Sequence, residues 1–163
     1  MSDVSVRPCS PGDVWGLRHS VLRPHQRADE VHWDSDDAPG SAHFCAEGPA
    51  GEVVSVGSVH PEDAPWPSGA AAQWRLRGMA TLPEFRGRGA GGAVLEAVVA
   101  HVARQGGGLL WCNARLPAVP FYRRAGFAER GEPWEEPAIG PHVVMWTWVE
   151  ATPPPGDTGS PAG

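Results

Sequence analysis

A single tyrosine stands in a chain of 163 residues that carries eight tryptophans and four phenylalanines. It is Tyr122, inside FYRRAGF (121–127). A phenol has what tryptophan and phenylalanine lack, an ionisable O–H able to give a proton to a departing anion. Upstream lies FRGRGAGGAVL (85–95), with glycines at 87, 89, 91 and 92 and arginines at 86 and 88. Glycine lets the backbone turn tightly and lets a ligand reach the main chain without a Cβ in the way. If the turn opens a helix, the unpaired N–H groups and the helix dipole favour an anion there. A phosphate or pyrophosphate is the natural ligand for such a turn, with Arg86 and Arg88 adding charge.

Three phosphate-binding readings compete. A Walker A loop needs a lysine after its last glycine, and the chain has none, since all thirteen of its basic side chains are arginine. The dinucleotide pattern GxGxxG is formally present as Gly87, Gly89 and Gly92. That pattern should open the first βα unit and be followed by an acid for the ribose. Here it falls mid-chain, and no Asp or Glu lies between Glu96 and Glu129. Coenzyme A needs the same backbone cradle and no such acid. A glycine-rich turn without a ligand is the remaining option.

The elements that must position these groups follow from patterning. Residues 4–8 read as a first strand. Ser10, Pro11 and Asp13 form a helix start, with the apolar spacing of Val14, Leu17 and Val21 carrying the helix to about residue 23. Residues 25–41 are a polar loop, and 42–47 with 52–60 are a hairpin joined by a turn at 48–51. Residues 71–82 alternate as a strand, with Gly78 marking a bulge or a close backbone approach. Val94, Leu95, Val98, Val99 and Val102 stripe a helix over 91–105, ended by three glycines. A buried strand follows at 109–114, a short helix at 117–124 and two last strands, the second at 142–150. Strands outnumber helices, so the class is α/β (α+β) with a mixed central sheet flanked by helices. One domain over 1–150 is expected, with a disordered tail over 151–163.

Charge is unevenly placed. The formal net charge is −6, yet residues 75–130 hold nine arginines and three acids. An acidic protein with a basic centre points to an anionic ligand bound there, not to a nucleic-acid face. Cys9, Cys45 and Cys112 are widely spaced with no CxxC pair, so neither a metal site nor a disulfide framework is expected. No apolar run approaches a membrane span and the N-terminus lacks a signal-peptide pattern, so a soluble cytoplasmic protein is expected.

LRGMATLPEFRGRGAGGAVLEAV followed by CNARLPAVPFYRRAGF resembles the GNAT superfamily of acetyl-CoA-dependent N-acyltransferases. Residues 86–91 match its R/Q-x-x-G-x-G/A pyrophosphate motif, and FYRRAGF matches its later aromatic-Tyr…Gly-Phe motif. The likeness is good over about 74–128.

The resemblance implies a mostly antiparallel sheet whose two central strands splay to form the cofactor cleft. It implies acetyl-CoA as co-substrate and no metal. The pantetheine arm would pair with Met79, Ala80 and Thr81, and the pyrophosphate would sit on Arg86, Gly87, Arg88, Gly89, Ala90, Gly91 and Gly92. Tyr122 matches the general acid that protonates the leaving thiolate. Many members carry Asn seven residues before that tyrosine. Here the position is Arg115, so Asn113, two residues earlier, takes the cofactor contact, while Arg115 is free to reach a carboxylate of cofactor or substrate. No general base is evident. His142 is the first candidate, as base or substrate contact, ahead of His60, Glu62 and Glu135. The acceptor would be an amine of a small molecule or peptide, with a homodimer left open and neither membrane nor nucleic acid involved. The acidic loop 29–37 either attracts a cationic amine or is a solvated surface, and Trp33, Trp66 and Trp134 are candidates to line the acceptor pocket. The alternative is a non-catalytic module of the same fold that binds CoA as a sensor or interaction surface.

Overall fold

The computed structural model describes residues 4–153, so most of the expected C-terminal tail lies outside the described residues. Seven strands form one sheet: β1 (Ser5–Cys9), β2 (Ala42–Glu47), β3 (Val53–Pro61), β4 (Gln73–Thr81), β5 (Gly108–Arg115), β6 (Ala128–Glu136) and β7 (Gly140–Val149). Their order across the sheet is β1-β2-β3-β4-β5-β7-β6. Every neighbouring pair is antiparallel except β4 and β5. The helices are α1 (Pro11–Leu17), α2 (Ala90–Arg104) and α3 (Val119–Arg124). A π-helical turn, Arg18–Leu22, extends α1 close to its expected end.

The cap of α1 forms as its sequence suggests. The Asp13 carboxylate accepts from the Ser10 N–H at 3.1 Å and from its hydroxyl at 3.0 Å. Val14 and Leu17 then pack with Cys45, Val56 and Ala80 on one face of the sheet. The stripe of α2, Val94, Leu95, Val98 and Val102, packs on the opposite face with Phe44, Leu76, Leu110 and Met145. The sheet is therefore covered on both faces. Burying a Val or Leu side chain is worth about 1.5–3 kcal/mol, so α2 is the chief anchor of the layer that carries the glycine-rich turn. Tyr122 and Val119 bring α3 into the same core.

The parallel pair is short. Its register covers only Gln73, Trp74 and Arg75 against Leu109, Leu110 and Trp111, although β4 runs on to Thr81 and β5 to Arg115. Past Arg75 the two strands part. The cause lies on β4, where Val56 pairs with Ala80 and Ser58 with Arg77, leaving Gly78 and Met79 to face the single residue Gly57. This is a bulge, and Gly78 sits at its start with φ +68°, a left-handed conformation costly to a residue with a Cβ. Gly57 completes it: a Cβ there would lie 2.5 Å from the Met79 sulfur. The bulge expected at Gly78 thus opens the sheet between its two central strands.

Candidate active site

Two cavities meet the splayed strands. The larger, about 810 Å³, lies along the start of α2 and against α3, lined by Thr81, Arg86, Gly92, Phe121 and Arg124 among others. The smaller, about 290 Å³, lies between the diverging strands and is walled by β6, β7 and the polar loop after α1.

The larger cavity is built by the glycine-rich turn. Gly87 and Gly89 take φ +73° and +88°, and Gly89 is the N-cap of α2. No side chain caps this helix, and its first backbone bond is from Ala93 N–H to the Gly89 carbonyl at 3.0 Å. The N–H groups of Ala90, Gly91 and Gly92 are thereby left as donors at the positive end of a fifteen-residue helix. A Cβ on Gly91 would stand 3.1 Å from the Thr81 hydroxyl, so this glycine sets how closely α2 meets β4. Around Gly92 a Cβ would meet nothing within 4 Å, although the residue lines the cavity. Space kept clear beside free donors fits a bulky anion such as a nucleotide pyrophosphate.

Of the two arginines in the turn, Arg86 lines this cavity. Arg88 instead lies over the Phe85 ring at 4.9 Å and donates to the Glu84 carbonyl at 3.4 Å. Arg124 supplies a second cation to the lining, and sequence reasoning missed it. The signal was present in FYRRAGF: Arg123 pairs with Glu129, which leaves its neighbour to face the cavity.

The smaller cavity gathers most of the other expected residues. Met79, Asn113, Arg115, Tyr122 and His142 all line it. Ala80 and Ala90 are buried behind the two cavities and offer only backbone groups. Tyr122 lies against Phe121 and Phe127, with ring centroids 5.1 and 5.4 Å away. Burial, helped by nearby Cys112, holds its phenol well above the usual range, so it stays protonated. Burial likewise pushes the Cys112 thiol up to about 12. This wall opposes negative charge on sulfur and oxygen alike.

His142 is buried at the start of β7, not exposed at a strand end. Its Nδ1 lies 2.9 Å from the Gly140 carbonyl. A carbonyl only accepts, so Nδ1 is the donor, and the tautomer that this contact selects has its lone pair on Nε2. Two of the rival bases, His60 and Glu62, are engaged elsewhere. His60 Nε2 meets Glu62 at 2.8 Å, and the other Glu62 oxygen accepts from Arg75 at 3.2 Å. Neither His60, Glu62 nor Glu135 lines the cavity. Arg115 donates to the Leu22 carbonyl at 2.5 Å and so ties β5 to the turn after α1.

Three of the five acids in the loop 29–37 hold arginines. Asp36 is buried and takes a two-pronged bond from Arg18, at 2.8 and 2.9 Å, with further bonds from the Trp15 ring N–H and the Trp33 N–H. Asp29 and Glu30 pair with Arg27. Arg18 and Arg77 lie over the Trp33 ring at 3.7 and 3.9 Å. Trp33 and Trp134 line the cavity, while Trp66 does not and packs near Leu109 and Trp111 instead.

The family model described as "Acetyltransferase (GNAT) family" matches residues 13–127. The chain is 36% identical over 143 residues to the uncharacterized N-acetyltransferase YitI of Bacillus subtilis (strain 168), a span of 88% of this chain and 95% of that protein. Among solved structures it resembles a Corynebacterium glutamicum protein described as histone acetyltransferase HPA2 and related acetyltransferase. There the TM-score is 0.69 with 20% identity, over 95% of this chain and 99% of that one. It also resembles an acyl-CoA N-acyltransferase from Pseudomonas aeruginosa, with TM-score 0.68 and 18% identity over 88% and 98% of the two chains.

Proposed function

The chain belongs to the GNAT acetyltransferase family, and on that premise we propose that it moves an acetyl group from acetyl-CoA to the amine of a small molecule. The observation that carries this reading is the parting of β4 from β5 beyond Arg75, with an anion cradle on one side and Tyr122 and His142 on the other.

Acetyl-CoA supplies a thioester whose acetyl group an amine can take, with the thiolate as leaving group. The N–H groups of Ala90, Gly91 and Gly92, with Arg86 and Arg124, hold the pyrophosphate. The edge of β4 over Met79, Ala80 and Thr81 is not paired to β5, so its backbone groups receive the pantetheine arm. An N–H at the bulge, near Met79–Ala80, polarises the thioester carbonyl as charge develops on its oxygen. Asn113 borders the same space from β5. His142 Nε2 takes the proton of the attacking amine.

Tyr122 donates to the leaving sulfur. On reference values of about 10 for a phenol and about 8.5 for a thiol, full transfer runs uphill by roughly 2 kcal/mol. Burial raises the Tyr122 phenol, as it does the Cys112 thiol, and would raise a thiol expelled here in the same direction. Tyr122 therefore acts by hydrogen bonding to the sulfur as charge develops there, the proton following as the C–S bond breaks. The test is release of free thiol from acetyl-CoA by the full chain across a broad panel of amines. Turnover with at least one amine is expected. Binding of acetyl-CoA with no release across the panel would replace transfer by a non-catalytic binding role.

A further inference from the structure

The smaller cavity is cationic. Arg23, Arg75, Arg77 and Arg115 line it, with Glu136 as the one carboxylate in the lining among the described residues. Of the four, only Arg75 has an ion-pair partner among the described residues, Glu62 at 3.2 Å, and its Nε is buried with no hydrogen-bond partner. Arg77 is held in place by stacking on Trp33, which Arg18 backs from its other contact with the same ring. Burying a guanidinium without a counter-charge is costly. The stress shows on Arg77, pushed down to about 10 by burial and by neighbouring Arg75 and Arg18. Arg23 is lowered as well, by burial and by Arg115, with Glu136 only partly offsetting. Side chains arranged this way await an anion.

Resting on the acetyl-transfer reading, we propose that the acceptor is a small amine that also carries an anionic group, a carboxylate or a phosphate, bound by Arg77 with Arg75 and Arg23. Size agrees: about 290 Å³ lies at the lower end of small-molecule sites. The same charge serves the chemistry. A cationic cavity disfavours the ammonium form of the acceptor and favours the neutral amine that attacks. A polycation would be repelled by the cavity, and three of the loop's five acids, Asp36, Asp29 and Glu30, already hold arginines.

The experiment uses matched pairs with the full chain. One arm sets amino acids against their decarboxylated amines, the other phosphoethanolamine against ethanolamine, with spermidine as the cationic control. Calorimetry in the presence of CoA reads affinity, and free-thiol release from acetyl-CoA reads transfer. The member carrying the carboxylate or phosphate in at least one pair is expected to bind tenfold or more tighter than the partner that lacks it, and the arm in which this occurs identifies the anion. In Arg77→Gln that preference falls toward unity through a raised KM, while acetyl-CoA still raises the melting temperature, which shows that the variant is folded. Equal affinity within both pairs, or tighter binding of spermidine, overturns the inference whatever the turnover. A retained anionic preference with no acetyl transfer would instead leave the anion site standing and remove the transfer reading, and with it the acceptor role of the bound amine.

Discussion

At the scale of single residues, Tyr122 carries the proposed proton donation. Its hydroxyl is the one atom by which it differs from phenylalanine, so Tyr122→Phe separates packing from proton donation. The variant keeps the aromatic contacts with Phe121 and Phe127 and is expected to bind acetyl-CoA normally. Its kcat should fall by about 10²–10⁴-fold, the usual range for a positioned proton donor. The pH profile gives a second check. Burial raises the phenol, so its protonated, donating form persists through neutral and alkaline pH. The wild-type rate should therefore show no alkaline fall assignable to Tyr122 below about pH 10. A fall near neutrality that vanishes in Tyr122→Phe would contradict the environment described. Tyr122 was legible from composition, because a lone phenol is conspicuous. His142 was legible only as one of several candidates. Its place in the cavity lining depends on the β5–β7–β6 pairing, which sets it opposite Arg115 and Trp134, and no local pattern encodes that pairing.

At the scale of elements, the turn into α2 makes the sharper prediction. Gly92 lies inside the first turn, where glycine is less favourable than alanine by up to about 1 kcal/mol, and a Cβ there meets no protein atom. Gly92→Ala should leave the melting temperature unchanged or higher in the absence of ligand while weakening acetyl-CoA about tenfold. Gly91 behaves differently, because its Cβ would press on the Thr81 hydroxyl. Gly91→Ala should cost both stability and affinity. Unligated thermal melts and calorimetric titrations of the two variants distinguish these outcomes. The helix itself was plain from its apolar period, and the bulge from Gly78 in an alternating strand. The length of the β4–β5 pairing was not. A strand sequence does not state where its neighbour leaves it, and here Gly57, distant in sequence, makes the room that Met79 requires.

At the scale of the whole molecule, charge is distributed in two linked layers. The acid-rich segment after α1 forms a wall that carries Trp33 and locks Arg18, and three of the central arginines, Arg75, Arg77 and Arg115, line the cavity beside it. Among the described residues no helix is long and apolar enough to cross a membrane. The Arg18–Asp36 pair holds the wall. Burial alone would raise the Asp36 carboxyl, but bonds from Arg18, Trp15 and Trp33 outweigh it and leave the group below its ordinary value. The pair's contribution is therefore fully present above about pH 4 and is lost as pH falls through the lower folded value. Asp36→Asn should cost about 3–5 kcal/mol at neutral pH by stranding a buried guanidinium. It should also flatten the loss of stability in acid, as read by urea unfolding at pH 7 and pH 3. The sequence showed the acids and the central arginines as two populations. It could not show that Asp36 reaches back to Arg18, since that contact depends on how the polar loop folds over the sheet.

The cradle, the splayed strands and the proton donor all presuppose acetyl-CoA, and its calorimetric titration into the full chain is the decisive measurement. The account predicts saturable binding of one acetyl-CoA per chain, with NAD binding much more weakly. An absence of acetyl-CoA binding, or tighter binding of NAD, would contradict it.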